Sequence, residues 1–123
     1  MTHKAIYTLI LICIVTASCA NRHWTKEDTY RQGAATALLA IEWLQTKDLG
    51  NRYNEGYFET NPGLGKYPSQ DEIDQCFAMV ALGSLGIAYI LPDPYRKYFQ
   101  VFYIGYESNQ IRHNREIGLR IAF

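Results

Sequence analysis

Charged residues cut the chain into blocks, and the uncharged blocks between them carry the helical signal. From Lys26 to about Leu49 the composition is helix-forming, and nothing between Arg31 and Glu42 is charged. Gly33, Ala37, Ala40 and Leu44 recur at helical spacing, which sets three small residues on one stripe where a second helix can approach closely. Glu42 interrupts the apolar character. Gln45 follows three residues later on nearly the same face, so the two are expected to pair. Gly50-Asn51 is a helix stop.

Ser69 opens the next helix, and with Glu72 three residues on it forms a capping box. Seventeen residues without charge follow, from Gln75 to Leu91, between Asp74 and Asp93. As a helix this run is about 25 Å long, just under the hydrocarbon thickness of a bilayer. Gly83, Ser84 and Gly86 dilute its hydrophobicity, and Ala81, Ser84 and Ala88 make a second small-residue stripe. Burial among neighbouring helices is therefore preferred to a membrane span.

Pro92-Asp93-Pro94 ends that helix and starts a third, with Asp93 as the expected cap and Pro94 at the first helical position. It is predicted to run to about Asn109, or onward toward Glu116, with a heavy aromatic face of Tyr95, Phe99, Phe102, Tyr103 and Tyr106. Beyond Gly118, Ile117, Leu119, Ile121 and Phe123 alternate as a strand would, leaving helix, strand or coil open for the tail.

Residues 50–69 form a long connection rich in Gly, Asn, Pro and Tyr. Loops of that length in a small domain are uncommon unless they pack or act. Tyr53, Tyr57, Phe58 and Tyr67 argue for packing, and Asn61-Pro62 with Gly63 and Gly65 supplies turn chemistry. The expected fold is mainly α: a small three-helix bundle with a long ordered loop between helices 1 and 2, after an N-terminal signal segment. Across roughly residues 28–118, the Gln-Thr ending of the first helix, Glu59-x-Asn61-Pro62, Leu64-Gly65 and Pro68-Ser69 form a pattern. It resembles small uncharacterised helical membrane-associated proteins of bacteria and their phages, a likeness that implies no activity.

The first nineteen residues change the picture most. Met1 to Lys4 is short and mildly cationic, and Ala5 to Val15 is an uncharged run of signal length, too short for an ordinary span. Thr16-Ala17-Ser18-Cys19 then resembles the lipobox of a bacterial lipoprotein precursor, although Thr16 stands where Leu is commonest. The resemblance implies a signal peptide over 1–18, a diacylglycerol-bearing Cys19 opening a tether over 19–25, and a helical domain over 26–123. Ala20, where an Asp would imply retention at the inner membrane, implies the outer membrane. A cleaved, unlipidated leader and an uncleaved anchor helix are the alternatives.

Loss of Lys4 would leave eleven basic against twelve acidic residues with no block of one sign, which excludes an ordinary nucleic-acid-binding face. Cys76 would be the one thiol left in the mature chain, and as a small hydrophobe opening an apolar run it is an unpromising nucleophile. His3, His23 and His113 have no metal-site spacing, and no cofactor motif is present. Nine tyrosines after the leader suit either a helical core or a surface with one dry and one wet side.

Eight polar residues beside apolar faces or in the long loop need an explanation: Glu42, Gln45, Glu59, Asn61, Arg96, Gln100, Glu107 and Asn114. Glu42 and Glu59 in one pocket could act as acid and base on a wall polysaccharide. The structural alternative leads, with Glu42 bonded to Arg96 or Gln100 and with Glu59 and Asn61 holding the loop backbone. The sequence thus points to a lipid-anchored protein of the cell envelope, tied to the membrane through Cys19. Its role would be a non-catalytic interaction or structural one, toward an unknown envelope protein partner or the membrane, and of phage or prophage origin if the likeness extends that far. An envelope hydrolase using Glu42 and Glu59, and a small integral membrane protein spanning with residues 75–91, are the rivals.

Overall fold

The computed structural model describes residues 23–122; the leader and Cys19 lie outside them. Three helices follow in order: α1 over Lys26–Gly50, α2 over Gln70–Ile90 and α3 over Tyr95–Glu116, with a 3-10 turn at Tyr53–Glu55. The bundle is mainly helical, as expected, with the long loop between α1 and α2.

Each start has a local cause, and two are reciprocal caps. Thr25 accepts from the Asp28 amide at 3.1 Å while Asp28 accepts from the Thr25 amide at 2.9 Å. Ser69 and Glu72 make the box expected of them, at 3.2 and 2.7 Å. By contrast α3 starts behind Pro94 with no side-chain cap, so the role expected of Asp93 is not taken up.

The end of α3 lies past Asn109, and a left-handed Gly118 closes it. The Leu119 amide donates to the Asn114 carbonyl at 2.9 Å and the Gly118 amide to the Arg115 carbonyl at 3.0 Å, which is a Schellman motif. Leu119 is buried, while Ile117 and Ile121 are exposed. Residues 119–122 take no strand conformation. The period-two alternation reflected a single inward residue beyond a helix cap.

α1 touches both other helices, and α2 and α3 touch each other much less. Contacts from Trp43 and Lys47 to Asp74, and from Trp24 to Tyr89, show α2 antiparallel to α1. Those from Asp28 to Arg96 and from Gln45 to Asn114 show α3 parallel to it. The apolar core is small: Leu39, Ile73 and Phe77, with Trp43, Leu64 and Ala81 against them. Trp43 stacks on Phe77 at 5.9 Å. The loop packs through its aromatics, as expected. Tyr53 meets Tyr67 edge-on and donates to the Pro68 carbonyl at 2.7 Å, while Tyr57 donates to the Ile117 carbonyl at 2.8 Å.

Two packing expectations fail together. The α1 stripe of Gly33, Ala37 and Ala40 faces outward, and a Cβ on Gly33 would meet nothing within 4 Å. α2 is not buried by its neighbours: it turns Ile73, Phe77, Ser84 and Ala88 inward, and only 22% of its most apolar window is covered. The Ala81, Ser84 and Ala88 stripe does face inward, with Ser84 and Ala88 buried and Ala81 against the core, while the rest of the helix stays uncovered.

Candidate functional site

What lies inside the α1–α3 contact is polar. Along α1 the inward stripe includes Asp28, Gln32, Gln45 and Thr46, and along α3 Arg96, Gln100 and Glu107; all are buried. Positions 96, 100, 103, 107 and 114 repeat near helical period on one side of α3, so one face carries nearly all of them.

The upper end of this seam is an arginine clamp. Arg96, 1% exposed, donates from Nε to the Ala88 carbonyl at 2.8 Å and from Nη1 to the His23 carbonyl and to Asp28 Oδ2, both at 3.0 Å. It thereby satisfies the open carbonyl end of α2 and ties it to the start of α1. Asp28 also takes Arg31 at 2.6 Å. Burial pushes the Asp28 carboxyl up, but bonds from Thr25, Arg96 and Arg31 outweigh it and hold the group below its ordinary value. Gln100 completes this end, accepting from Arg31 at 2.9 Å and donating to the Asp28 carbonyl at 3.1 Å.

Midway, two carboxyls meet. Burial, a hydrogen bond with Glu107 and the negative charge of Glu107 and Glu59 push Glu42 up to about 9, so it keeps its proton at neutral pH. Glu107 is 2% exposed, and its Oε2 has no hydrogen-bond partner among the described residues; the same is true of the Tyr103 hydroxyl. Burial, then Glu107, pushes the Tyr103 hydroxyl up as well. Below them Asn114 donates to Gln45 at 3.2 Å, and Gln45 to the Ile111 carbonyl at 3.4 Å.

Over the Glu42 carboxyl the loop closes a cavity of about 210 Å³, lined by Glu42, Glu59, Asn61, Tyr106, His113 and Asn114 among others. Glu42, Asn61 and Tyr106 also line a smaller inner cavity of about 120 Å³ that reaches Glu107 and Cys76. Glu59 Oε1 accepts from the Thr60 and Asn61 amides at 2.8 and 2.7 Å, and Asn61 Oδ1 from the Gly63 amide at 2.9 Å. These two side chains hold the loop, as expected.

All eight residues singled out from the sequence thus belong to one seam and its adjoining loop, but several partners differ. Glu42 joins Glu107, not Arg96, Gln100 or Gln45; Arg96 takes Asp28 and Gln45 takes Asn114. Asp28, Gln32, Thr46 and Tyr103 were missed, although Asp28-x-x-x-Gln32 lies on the stripe that continues through Ala35, Leu39 and Glu42. Chemically, a carboxyl kept neutral beside others can donate a hydrogen bond or a proton, and Glu42 and Glu59 do line one cavity. Among the described residues no group of three or more His, Cys, Asp or Glu could hold a metal ion. Comparison with protein-family models, with curated proteins and with solved structures finds no match to this chain.

Proposed function

We propose that this is a lipid-anchored protein of the bacterial cell envelope that acts by contact, holding its apolar exterior against the membrane, and not by catalysis. One observation carries the reading: the α1–α3 contact is polar, while much of the exterior of α2 and α3 is apolar. Its α1–α3 contact buries an arginine, an aspartate, a glutamate and three glutamines, while Leu82 is 71% exposed and Phe102 70%. Met79, Leu85 and Tyr89 on α2, and Tyr95, Tyr98, Val101 and Tyr106 on α3, are exposed with them. In water such a surface forfeits the burial that offsets chain ordering, and contiguous apolar exteriors mark membrane or protein contacts. Tyrosines on the α3 side suit the boundary between headgroups and acyl chains.

The lipid on Cys19, expected from the lipobox-like Thr16-Ala17-Ser18-Cys19, would bring that surface to the bilayer and keep it there. Ala20 favours the outer membrane over the inner one. Labelling cells with a clickable fatty acid tests the anchor. The expected result is a labelled protein in the membrane fraction and no label after Cys19→Ala; a labelled Cys19→Ala protein contradicts it.

A second reading, α2 crossing the bilayer, is favoured by its length of about 31 Å and its low coverage. Carbonate extraction of the Cys19→Ala protein separates the two: release supports surface seating, and retention supports a crossing helix.

A further inference from the structure

We infer that the two adjoining carboxyl-lined cavities between α1, α3 and the loop form a binding site for a primary ammonium group, seated at Glu42 between Glu59 of the outer cavity and Glu107 of the inner one, with the Tyr106 ring beside it. The argument begins with an imbalance. Three carboxyls face the two adjoining cavities, and neither cavity is lined by a lysine or arginine. Among the described residues none of the three carboxyls takes part in an ion pair, whereas Asp28, Asp48 and Asp74 each do.

The second observation is independent of charge. Glu107 is almost wholly buried and lines the inner cavity, and beyond the proton it shares with Glu42 its Oε2 meets no donor among the described residues. A buried acceptor with no partner is costly, and a native structure that keeps one calls for an explanation. An ammonium group offers three donors and no acceptor, which is what surplus acceptors require. The Tyr106 ring adds a face that attracts cations. Among the described residues no set of three His, Cys, Asp or Glu side chains is arranged for a metal, and a cavity of about 210 Å³ has room for an alkylammonium head with part of its chain.

Binding involves a proton exchange. Glu42 enters as a neutral acid, gives its proton to the buffer, and pairs as a carboxylate with the incoming cation. Affinity therefore strengthens as the pH rises toward about 9. The other titratable groups facing this pair are Glu59 from the loop, Cys76 from α2, and Tyr103, Tyr106, Glu107 and His113 from α3. His113 lines the outer cavity too, so His113→Gln is included as a control.

The test is calorimetric titration of the full mature protein in detergent with n-butylammonium, using n-butanol as the uncharged comparator and buffers of different ionisation enthalpy. The expected result is saturable binding of the ammonium alone, with proton release and an affinity about tenfold weaker in E107Q or E59Q, or about 1.4 kcal/mol. Circular dichroism establishes that each variant is folded, and E59Q at the loop side stands in should E107Q fail to fold. Absent binding, equal binding of butanol, or unchanged affinity in folded E107Q and E59Q would overturn the assignment. A competition arm with phosphatidylethanolamine against phosphatidylcholine vesicles identifies the source: displacement by the former alone indicates a lipid headgroup, and its absence a free amine.

Discussion

Arg96 Nη1 lies 3.0 Å from Asp28 Oδ2, and both residues are withdrawn from solvent. This contact joins the start of α3 to the start of α1 and, through the Ala88 carbonyl, to the end of α2. Removing one partner strands the other as a buried charge, so Asp28→Ala and Arg96→Ala are each expected to cost about 3–5 kcal/mol. Arg31 softens the loss for Asp28 once Arg96 is gone, so Asp28→Ala should be the worse of the two. Denaturant unfolding in mild detergent, with the double variant closing the cycle, checks both the size and the non-additivity.

Glu42 gives stability a dependence on pH opposite to that of a salt-bridged acid. Its value rises from 4.5 to about 9 on folding, so between those limits the folded chain holds a proton that the unfolded chain has lost. Stability should then fall as pH rises through that window, by at most about 1.4 kcal/mol per pH unit, and level off above it. Glu42→Gln keeps a neutral hydrogen-bonding side chain and should flatten the slope. Melting temperatures of the two proteins across that window measure it.

Asp28 works in the other direction. Its value is lowered on folding, so the stability it contributes is present above the ordinary value of 3.8 and is lost as pH falls through the lowered one. Acid unfolding followed by circular dichroism should therefore begin at higher pH in Arg96→Ala, where Asp28 loses one of its cationic partners.

Gly118 stands at a φ of 94°, and a Cβ there would come within 3.0 Å of the Tyr57 hydroxyl. Gly118→Ala should cost about 1 kcal/mol or more. The loss should be local, loosening the Leu119 and Arg120 amides, which bond to Asn114 and Asp48. Hydrogen exchange at those two amides, set against the Phe77 amide in the core, separates local from global opening.

Much of this was legible in the chain. The Ser69 and Glu72 capping box, the turn residues of the loop and the polar residues beside apolar runs pointed to α2, the loop and the seam, because each is a local signal. Pairing was not. That Arg96 meets Asp28 and not Glu42 depends on α3 lying parallel to α1 at a particular rotation, which no short window encodes. Nothing in the sequence singled out Asp28, yet its side chain both caps α1 and neutralises Arg96. The Ala81, Ser84 and Ala88 side of α2 does face inward, but the extent of its burial was misjudged because burying apolar surface is the rule in water, and this bundle turns its polar stripe inward.

Whether the apolar exterior is membrane-facing is tested most directly by flotation of the purified Cys19→Ala protein with liposomes, in parallel with Leu82→Glu and Phe102→Glu in the same background. The unlipidated protein is expected to float with the liposomes and both glutamate variants to remain at the bottom of the gradient with unchanged helix content. A Cys19→Ala protein that stays soluble and monomeric in detergent-free buffer and ignores liposomes would contradict the account.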